Sequence, residues 1–146
     1  MKKFVVLTLA ILSLFNCGNS AQEEKNKKLV LDFYKMALVD HKHREAADLY
    51  LSEDYKQHNP TVATGKEAFK EAFDGLFKVM PDASIEIKRA LVDGNMVVVH
   101  SHLKLDKTSR GFAVVDIFRV EKDKVVEHWD VIQEIPENPK NENTMF

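Results

Sequence analysis

The spacing of apolar residues changes once along this chain, at Pro81. Before Pro81, apolar residues recur at intervals of three and four, which is typical of helices packed by one face. After it, four runs rich in Val and Ile are separated by turn residues, which is typical of antiparallel strands. This order predicts an α+β fold in which three N-terminal helices pack on a curved antiparallel sheet and enclose a pocket.

The predicted helices cover about residues 25–39, 44–51 and 64–80, and the predicted strands cover 84–92, 96–105, 112–120 and 124–132. Thr64 and Glu67 have the spacing of a capping box, so we expect them to start the third helix. Both faces of the later strands carry large apolar residues. The outer face therefore needs cover, and a homodimer through that face is the simplest source of it.

The first 16 residues have the pattern of an export signal. The basic start Met1-Lys2-Lys3 precedes an uncharged run from Phe4 to Phe15, about 12 residues where a spanning helix needs about 20. Cys17 follows directly, a placement that resembles a bacterial lipoprotein signal whose lipidated cysteine becomes the first mature residue. We expect a lipid-anchored protein of the cell envelope; the alternative is cleavage near Ser20 or Ala21, which would leave a soluble periplasmic or secreted protein.

Composition excludes several classes of function. The 146 residues contain 21 Lys+Arg and 23 Asp+Glu, and this balance lacks the basic excess of a nucleic-acid-binding protein. A single cysteine excludes an internal disulfide and a cysteine-rich zinc site. We divide the chain into a signal peptide of residues 1–16, a tether of residues 17–28, one domain of residues 29–134 and a flexible tail of residues 135–146.

One carboxylate lies where a strand should be apolar. Asp116 is in the middle of the third predicted strand, and a buried carboxylate is costly unless it is paired or hydrogen-bonded. A three-residue hairpin loop at residues 121–123 would set Asp116 opposite His128, with Asp130 on the same face. These residues are the centre of the predicted site.

Other polar residues reach this site only if the loops that carry them have the right length and direction. His100 and His102 share one face of the second strand, and that face includes Asp116 only if the following loop has even parity. His58 and Asn59 lie between the second and third helices, where Pro60 keeps Asn59 extended and able to reach a pocket.

Carboxylates and imidazoles inside an apolar pocket are suited to general acid and base catalysis. The same groups could form a satisfied polar network without activity. Their spacing matches no specific metal motif, so we predict neither a metal nor a cofactor.

Two segments of the sequence resemble a known superfamily. They are Tyr55-Lys-Gln-His-Asn-Pro60 followed by Gly65-Lys-Glu67, and the run from Asp116 to Asp130. Both are similar to the nuclear transport factor 2-like superfamily and, within it, to the SnoaL-like proteins, over about residues 25–134. The resemblance implies a cone-shaped α+β fold around a deep pocket, and dimers formed through the outer face of the sheet.

The resemblance also implies roles for individual residues. The polyketide cyclases of this group catalyse an intramolecular aldol condensation without a cofactor, and Asp116, His102 and Asn59 correspond to their pocket aspartate, histidine and asparagine. In ketosteroid isomerase, another member, Asp116 corresponds to the neutral aspartate that donates a hydrogen bond, and Tyr34 to the oxyanion tyrosine. Its catalytic base corresponds to Asn59, whose amide cannot abstract a proton, so the isomerase mechanism itself is not expected.

Two functions remain open. The first is an enzyme of aldol, cyclase or isomerase type acting on a small carbonyl compound, and the second is a non-catalytic protein that holds a small hydrophobic ligand in the same pocket. The predicted catalytic residues are Asp116, His128, Asp130 and His102. The predicted substrate-binding residues are Tyr34, His58, Asn59, His100 and Phe118.

Overall fold

The computed structural model describes residues 20–146. Helix α1 is α-helical over residues 20–34 and continues as the π-helical segment Lys35–Val39. The other helices are α2 (His43–Tyr50) and α3 (Lys66–Val79). The strands are β1 (Leu51–Gln57), β2 (Ser84–Asp93), β3 (Met96–Lys104), β4 (Phe112–Glu121) and β5 (Lys124–Glu134). The mixed α+β fold is therefore confirmed. The predicted signal peptide and Cys17 lie outside the described residues.

The sheet has five strands in the order β1-β5-β4-β3-β2, and β2 to β5 form the predicted antiparallel meander. The expectation of a purely antiparallel sheet is wrong, because β1 pairs parallel with β5. In β1 only Leu51 and Tyr55 are fully buried. Because a spacing of four residues also fits a helix, the apolar pattern of this segment does not identify it as a strand.

The core lies between the helices and the inner face of the sheet. From α1, Val30 and Phe33 are almost fully buried, and they belong to one apolar cluster with Val97, Val99 and Val125 of the sheet. Branched residues suit this pleated surface, and the α1 face matches the predicted period. Within the described chain, the helices thus close one side of the sheet and make no contact with the other side.

The start of α1 corrects the predicted tether, because residues 20–28 are helical. Asn26 is buried, and its Nδ2 donates to the carbonyl of Gly94 at 2.9 Å. The backbone N–H of Gly94 donates to Glu23 Oε1 at 3.1 Å, and Lys25 pairs with Asp123 at 2.7 Å. The polar residues at the start of α1 thus bind two hairpin turns of the sheet. Their polarity reflects these contacts and not a solvent-exposed tether.

The hairpin between β4 and β5 corrects the predicted register. Residues 122 and 123 both have positive φ, of 48° and 59°, which makes a two-residue turn of type I′. With an irregularity in the strand pairing after this turn, Asp116 lies opposite Asp130, and Phe118 lies opposite His128. The predicted pairing was wrong by two residues, and an even shift leaves every side chain on its predicted face.

The expected capping box at α3 is also wrong. Gly65 is the N-cap, with φ of 111° and no side-chain cap. The hydroxyl of Thr64 instead accepts a hydrogen bond from the backbone N–H of Gln57 in β1, at 3.1 Å, and Glu67 binds Lys70. The Thr64 hydroxyl therefore binds β1, a strand that was not predicted, and does not cap α3.

The tail of residues 135–146 has neither helix nor strand. It folds back over the sheet, and the ring of Phe146 lies 4.6 Å from that of His102 and 5.4 Å from that of His100. The ammonium of Lys88 lies 5.0 Å from the centre of the Phe146 ring. The tail thus contacts the face of the sheet opposite the helices.

Candidate functional site

A cavity of about 510 Å³ lies between the helices and the inner face of the sheet. This volume falls within the range of small-molecule sites. Five phenylalanines contribute to its apolar wall: Phe33, Phe69, Phe73, Phe77 and Phe118. The polar side chains that bear on its chemistry are Tyr34, Tyr55, Gln57, Asn59, Asp116, His128 and Asp130.

Asp116 is the centre of the polar network. Its carboxylate is almost fully buried, and the hydroxyl of Tyr34 donates to Oδ2 at 2.7 Å. His128 Nε2 lies 3.0 Å from the other oxygen, Oδ1. Because the Tyr34 hydrogen is used by Asp116, Ser101 Oγ, 2.8 Å from that hydroxyl, must donate to it. Both carboxylate oxygens therefore have a partner, which makes the burial of Asp116 tolerable.

Burial holds the pKa of the Tyr34 hydroxyl well above its usual value of 10.0, and the nearby Asp116 charge raises it further. Tyr34 therefore keeps its proton and stays a donor. Burial likewise raises the pKa of Tyr55, with Asp116 and Asp130 as further causes. The Tyr55 hydroxyl accepts from Gln57 Nε2 at 3.2 Å and donates to no other residue of the described chain. Its hydrogen is thus available to a ligand.

The hydrogen-bond partners of His128 determine how many protons the site holds. Gln57 Oε1 accepts from the backbone N–H groups of His58 and Asn59, at 3.0 and 2.9 Å, which fixes the orientation of the amide. His128 Nδ1 lies 2.8 Å from the same oxygen and must carry a hydrogen. Its Nε2 faces Asp116, where two lone pairs would repel. That gap therefore holds one proton, on either His128 or Asp116.

Asp130 lies beside this pair and opposite Asp116 in the sheet. Asn59 Nδ2 donates to Asp130 Oδ2 at 2.6 Å, and Asn59 Oδ1 accepts from the backbone and hydroxyl of Thr61. One ligand atom from each of Asp116, His128 and Asp130 lies within 4.8 Å of the others. Among residues 20–146, these three side chains form a group that could hold a metal ion.

Most of the predicted site residues meet in this cavity. Those that line it are Tyr34, Asn59, Asp116, Phe118, His128 and Asp130. His100 and His102 do not line the cavity. The loop between β3 and β4 sets Val99, and not a histidine, opposite Asp116 on the inner face. His102 lies opposite Ala113 on the outer face, which corrects its predicted role and that of His100. His102 Nε2 bonds to the carbonyl of Arg110 there, at 2.7 Å.

His58 also lies outside the cavity, which corrects its predicted role. Its ring stacks on Trp129 at 4.7 Å, and its Nε2 lies 2.9 Å from Glu127 Oε1. Only its backbone N–H contributes to the site, through Gln57. Since consecutive residues of an extended chain point to opposite sides, Asn59 enters the cavity and His58 leaves it.

Tyr55, Gln57 and Ser101 belong to the site but were not among its predicted residues. Tyr55, Gln57 and Asn59 alternate along the chain, and this period of two was the signal that could have found both the strand and the site. Ser101 carried no such signal, because it is a small polar residue between the two histidines that were expected to face inward.

The model of the SnoaL-like domain family matches residues 30–128, more than half of the chain. This chain belongs to the SnoaL-like family. The matched segment contains Tyr34, Asp116 and His128, so the network described above lies within the family's domain. The resemblance drawn from the sequence is confirmed at this level. No curated protein matches the chain.

Solved structures share the fold at low identity. TsrD from Streptomyces laurentii is 20% identical with a TM-score of 0.61, covering 75% of this chain and 89% of its own. A candidate polyketide cyclase from Bacillus cereus is 21% identical with a TM-score of 0.64, covering 74% of each chain. A candidate ketosteroid isomerase from Kribbella flavida is 21% identical with a TM-score of 0.65, covering 82% and 85%. These matches establish the nuclear transport factor 2-like fold and no activity.

Proposed function

We propose that this SnoaL-like protein catalyses cofactor-independent acid and base chemistry on a small carbonyl compound bound in its cavity, as an aldol condensation, a cyclisation or an isomerisation. The observation that carries the proposal is the chain of contacts from Tyr34 to Asp116 to His128, which places a hydrogen-bonded carboxylate and imidazole beside an apolar cavity. Such a site favours proton transfer over simple storage of an apolar ligand.

The first step would move a proton from carbon to the Asp116 carboxylate. The electron pair of the broken C–H bond forms an enolate, and His128, held by Gln57, stabilises the ionised carboxylate before transfer. In an isomerisation the proton returns to another carbon; in an aldol step the enolate attacks a second carbonyl, whose oxygen takes the proton. The free hydroxyl hydrogen of Tyr55 is placed to stabilise the enolate oxygen, since Tyr34 is occupied by Asp116.

Hydrogen–deuterium exchange at carbon tests this step without knowledge of the product. Purified protein in D₂O is incubated with simple ketones such as cyclohexanone and 2-tetralone, and loss of the α-proton signal is followed by NMR. We expect exchange above the buffer rate for at least one ketone, and Asp116→Asn should reduce it by about 100-fold or more.

Asp54→Asn is the matched control, because Asp54 is an exposed residue of β1 and the substitution removes the same charge. It should leave exchange unchanged. Thermal melting shows whether Asp116→Asn folds, and Tyr55→Phe tests the enolate contact in a second variant. Exchange that is equal in the wild type and in Asp116→Asn would show that Asp116 does not perform this step.

A second function has its own support in the apolar wall with its five phenylalanines: a non-catalytic protein that binds a small hydrophobic ligand. Under this function, apolar probes raise the melting temperature of wild type and Asp116→Asn alike. No ketone exchanges faster than in buffer.

Export and lipid anchoring through Cys17 are part of the proposal and depend on the sequence pattern of residues 1–17. Within residues 20–146, no helix is long and apolar enough to cross a membrane. Mass spectrometry of the mature protein should show a lipidated N-terminal cysteine at a bacterial membrane, and Cys17→Ser should abolish it. An unmodified start at Ala21 or Gln22 would instead indicate a periplasmic or secreted protein.

A homodimer through the outer face of the sheet is also proposed. Leu91 and Val131 lie on that face with about two thirds of their surface exposed, at 65% and 66%. Exposed apolar groups of this kind favour association. Sedimentation should give a dimer that Val131→Lys converts to a monomer; a wild-type monomer at all concentrations would contradict it.

A further inference from the structure

The cavity wall has an unbalanced charge. Among residues 20–146, its lining contains two carboxylates, Asp116 and Asp130, and no lysine or arginine. Lysine and arginine are abundant elsewhere in the sequence, with 21 in total, so their exclusion from this wall is a feature of the fold. A ligand in the cavity meets these carboxylates without a cationic side chain to offset them.

Proton positions assign the excess charge to one residue. The Asp116–His128 pair holds one proton in the gap between them, so the pair is neutral overall whichever residue carries it. Tyr34 and Tyr55 remain protonated, because burial raises the pKa of both hydroxyls. The remaining charge in the lining is the negative charge of Asp130.

Within residues 20–146, the partner of Asp130 is an amide and not a cation. Asn59 donates to Oδ2, whereas Oδ1 has no hydrogen bond with any of residues 20–146, and Asp130 forms no salt bridge with them. By contrast, the partly buried carboxylate of Glu127 is paired with Arg119. A half-buried carboxylate next to apolar surface is best balanced by a positive charge.

The remaining wall also favours a cation. Phenylalanine faces attract positive charge when water is displaced, and five of them line the cavity. An anionic ligand would meet repulsion from Asp130 in a region where screening is weak.

We infer that the ligand of this cavity is an apolar molecule that carries a protonated amine, and that Asp130 selects for the amine. The inference deepens the proposed function, on which it rests, since the substrate class becomes an apolar amino carbonyl compound. In that complex the amine lies at Asp130 Oδ1, the carbonyl oxygen lies at the Tyr55 hydroxyl, and the carbon that loses its proton lies at Asp116.

Three probes of matched shape test the charge preference at pH 7: 2-(2-naphthyl)ethylamine, 2-(2-naphthyl)ethanol and 2-naphthylacetate. Titration calorimetry should give the amine about tenfold tighter binding than the alcohol, and the acid about tenfold weaker binding than the alcohol. In Asp130→Asn, the amine and the alcohol should bind within about twofold of each other, with the alcohol affinity unchanged.

Asp54→Asn is again the control, because it changes the net charge equally outside the cavity and should keep the amine preference. Equal affinities for amine and acid, an amine preference that survives Asp130→Asn, or no binding of any probe would each overturn the inference. Binding is measured without turnover, so an amine preference with no ketone exchange removes the proposed activity alone. Ketone exchange without an amine preference removes this inference alone.

Discussion

The two faces of the sheet carry similar residue types and use them differently. On the inner face, Asp116 and His128 are buried, and each has two side-chain partners. On the outer face, His102 bonds to one backbone carbonyl and His58 stacks on Trp129 beside an ion pair. Alternate residues of one strand can supply both faces, as Ser101 and His102 of β3 do. The face that a residue occupies therefore decides whether its polar group joins a buried hydrogen-bond network or remains exposed to solvent.

The largest difference between the faces should appear at two consecutive residues of β4. Phe118 is almost fully buried, with its ring 6.0 Å from Phe33, 6.1 Å from Tyr34 and 4.8 Å from His128, whereas Ile117 on the outer face is half-buried. Phe118→Ala should lower the free energy of unfolding by about 3–5 kcal/mol, and Ile117→Ala by about 1–2 kcal/mol. Urea denaturation measures both. Equal losses would mean that the outer face is as closely packed as the inner one.

A smaller difference is expected from single polar contacts. Tyr34→Phe leaves Asp116 Oδ2 buried without its donor and should cost about 1–3 kcal/mol of unfolding free energy. His102→Gln removes a contact at the wet outer face and should cost about 0.5 kcal/mol or less. Chemical denaturation of the two variants gives the comparison. If the outer substitution were the more costly one, the inner network would not be the stabilising one.

The smallest difference concerns pH. On the outer face, hydrogen bonds from His58 and Arg119 lower the pKa of Glu127 below its usual 4.5. A lowered pKa in the folded state means that Glu127 contributes stability above about pH 4.5, and that this contribution is lost as pH falls further.

Thermal melting between pH 5 and pH 3 tests this contribution. Glu127→Gln should lose stability less steeply than the wild type over that range, and added salt should reduce the difference between them. Parallel acid limbs for the two proteins would contradict the role of Glu127.

Periodicity predicted the elements that pack by repeated contacts. The apolar face of α1 and the four later strands were predicted to within a few residues of their bounds. Each of them buries many apolar residues at one regular spacing, so the pattern does not depend on any single contact. Elements held by individual polar contacts were missed. Residues 20–28 and β1 contain mostly polar residues whose partners are distant in sequence, such as Gly94 for Asn26.

The part of the candidate site on β4 and β5 was predictable, because a register error of two residues leaves each side chain on the same face of the sheet. Asp116, His128 and Asp130 are on one strand pair, so an error of two residues in register kept them together. His100 and His102 depended on the parity of a loop, and the sequence does not contain that parity. Ser101 between them entered the site instead.

The sequence by itself determined the class of fold, the SnoaL-like family and the carboxylate around which a site would form. The fold class follows from the local spacing of apolar residues, and the carboxylate from the cost of burying Asp116. The family follows from the resemblance of two sequence segments to its members. Only the tertiary structure decided which histidine approaches Asp116, that Gln57 orients it, and that Asp130 has no cationic partner in the part of the chain that the structure describes. Each of these depends on loop parity and on contacts between residues far apart in the chain, which no local pattern records.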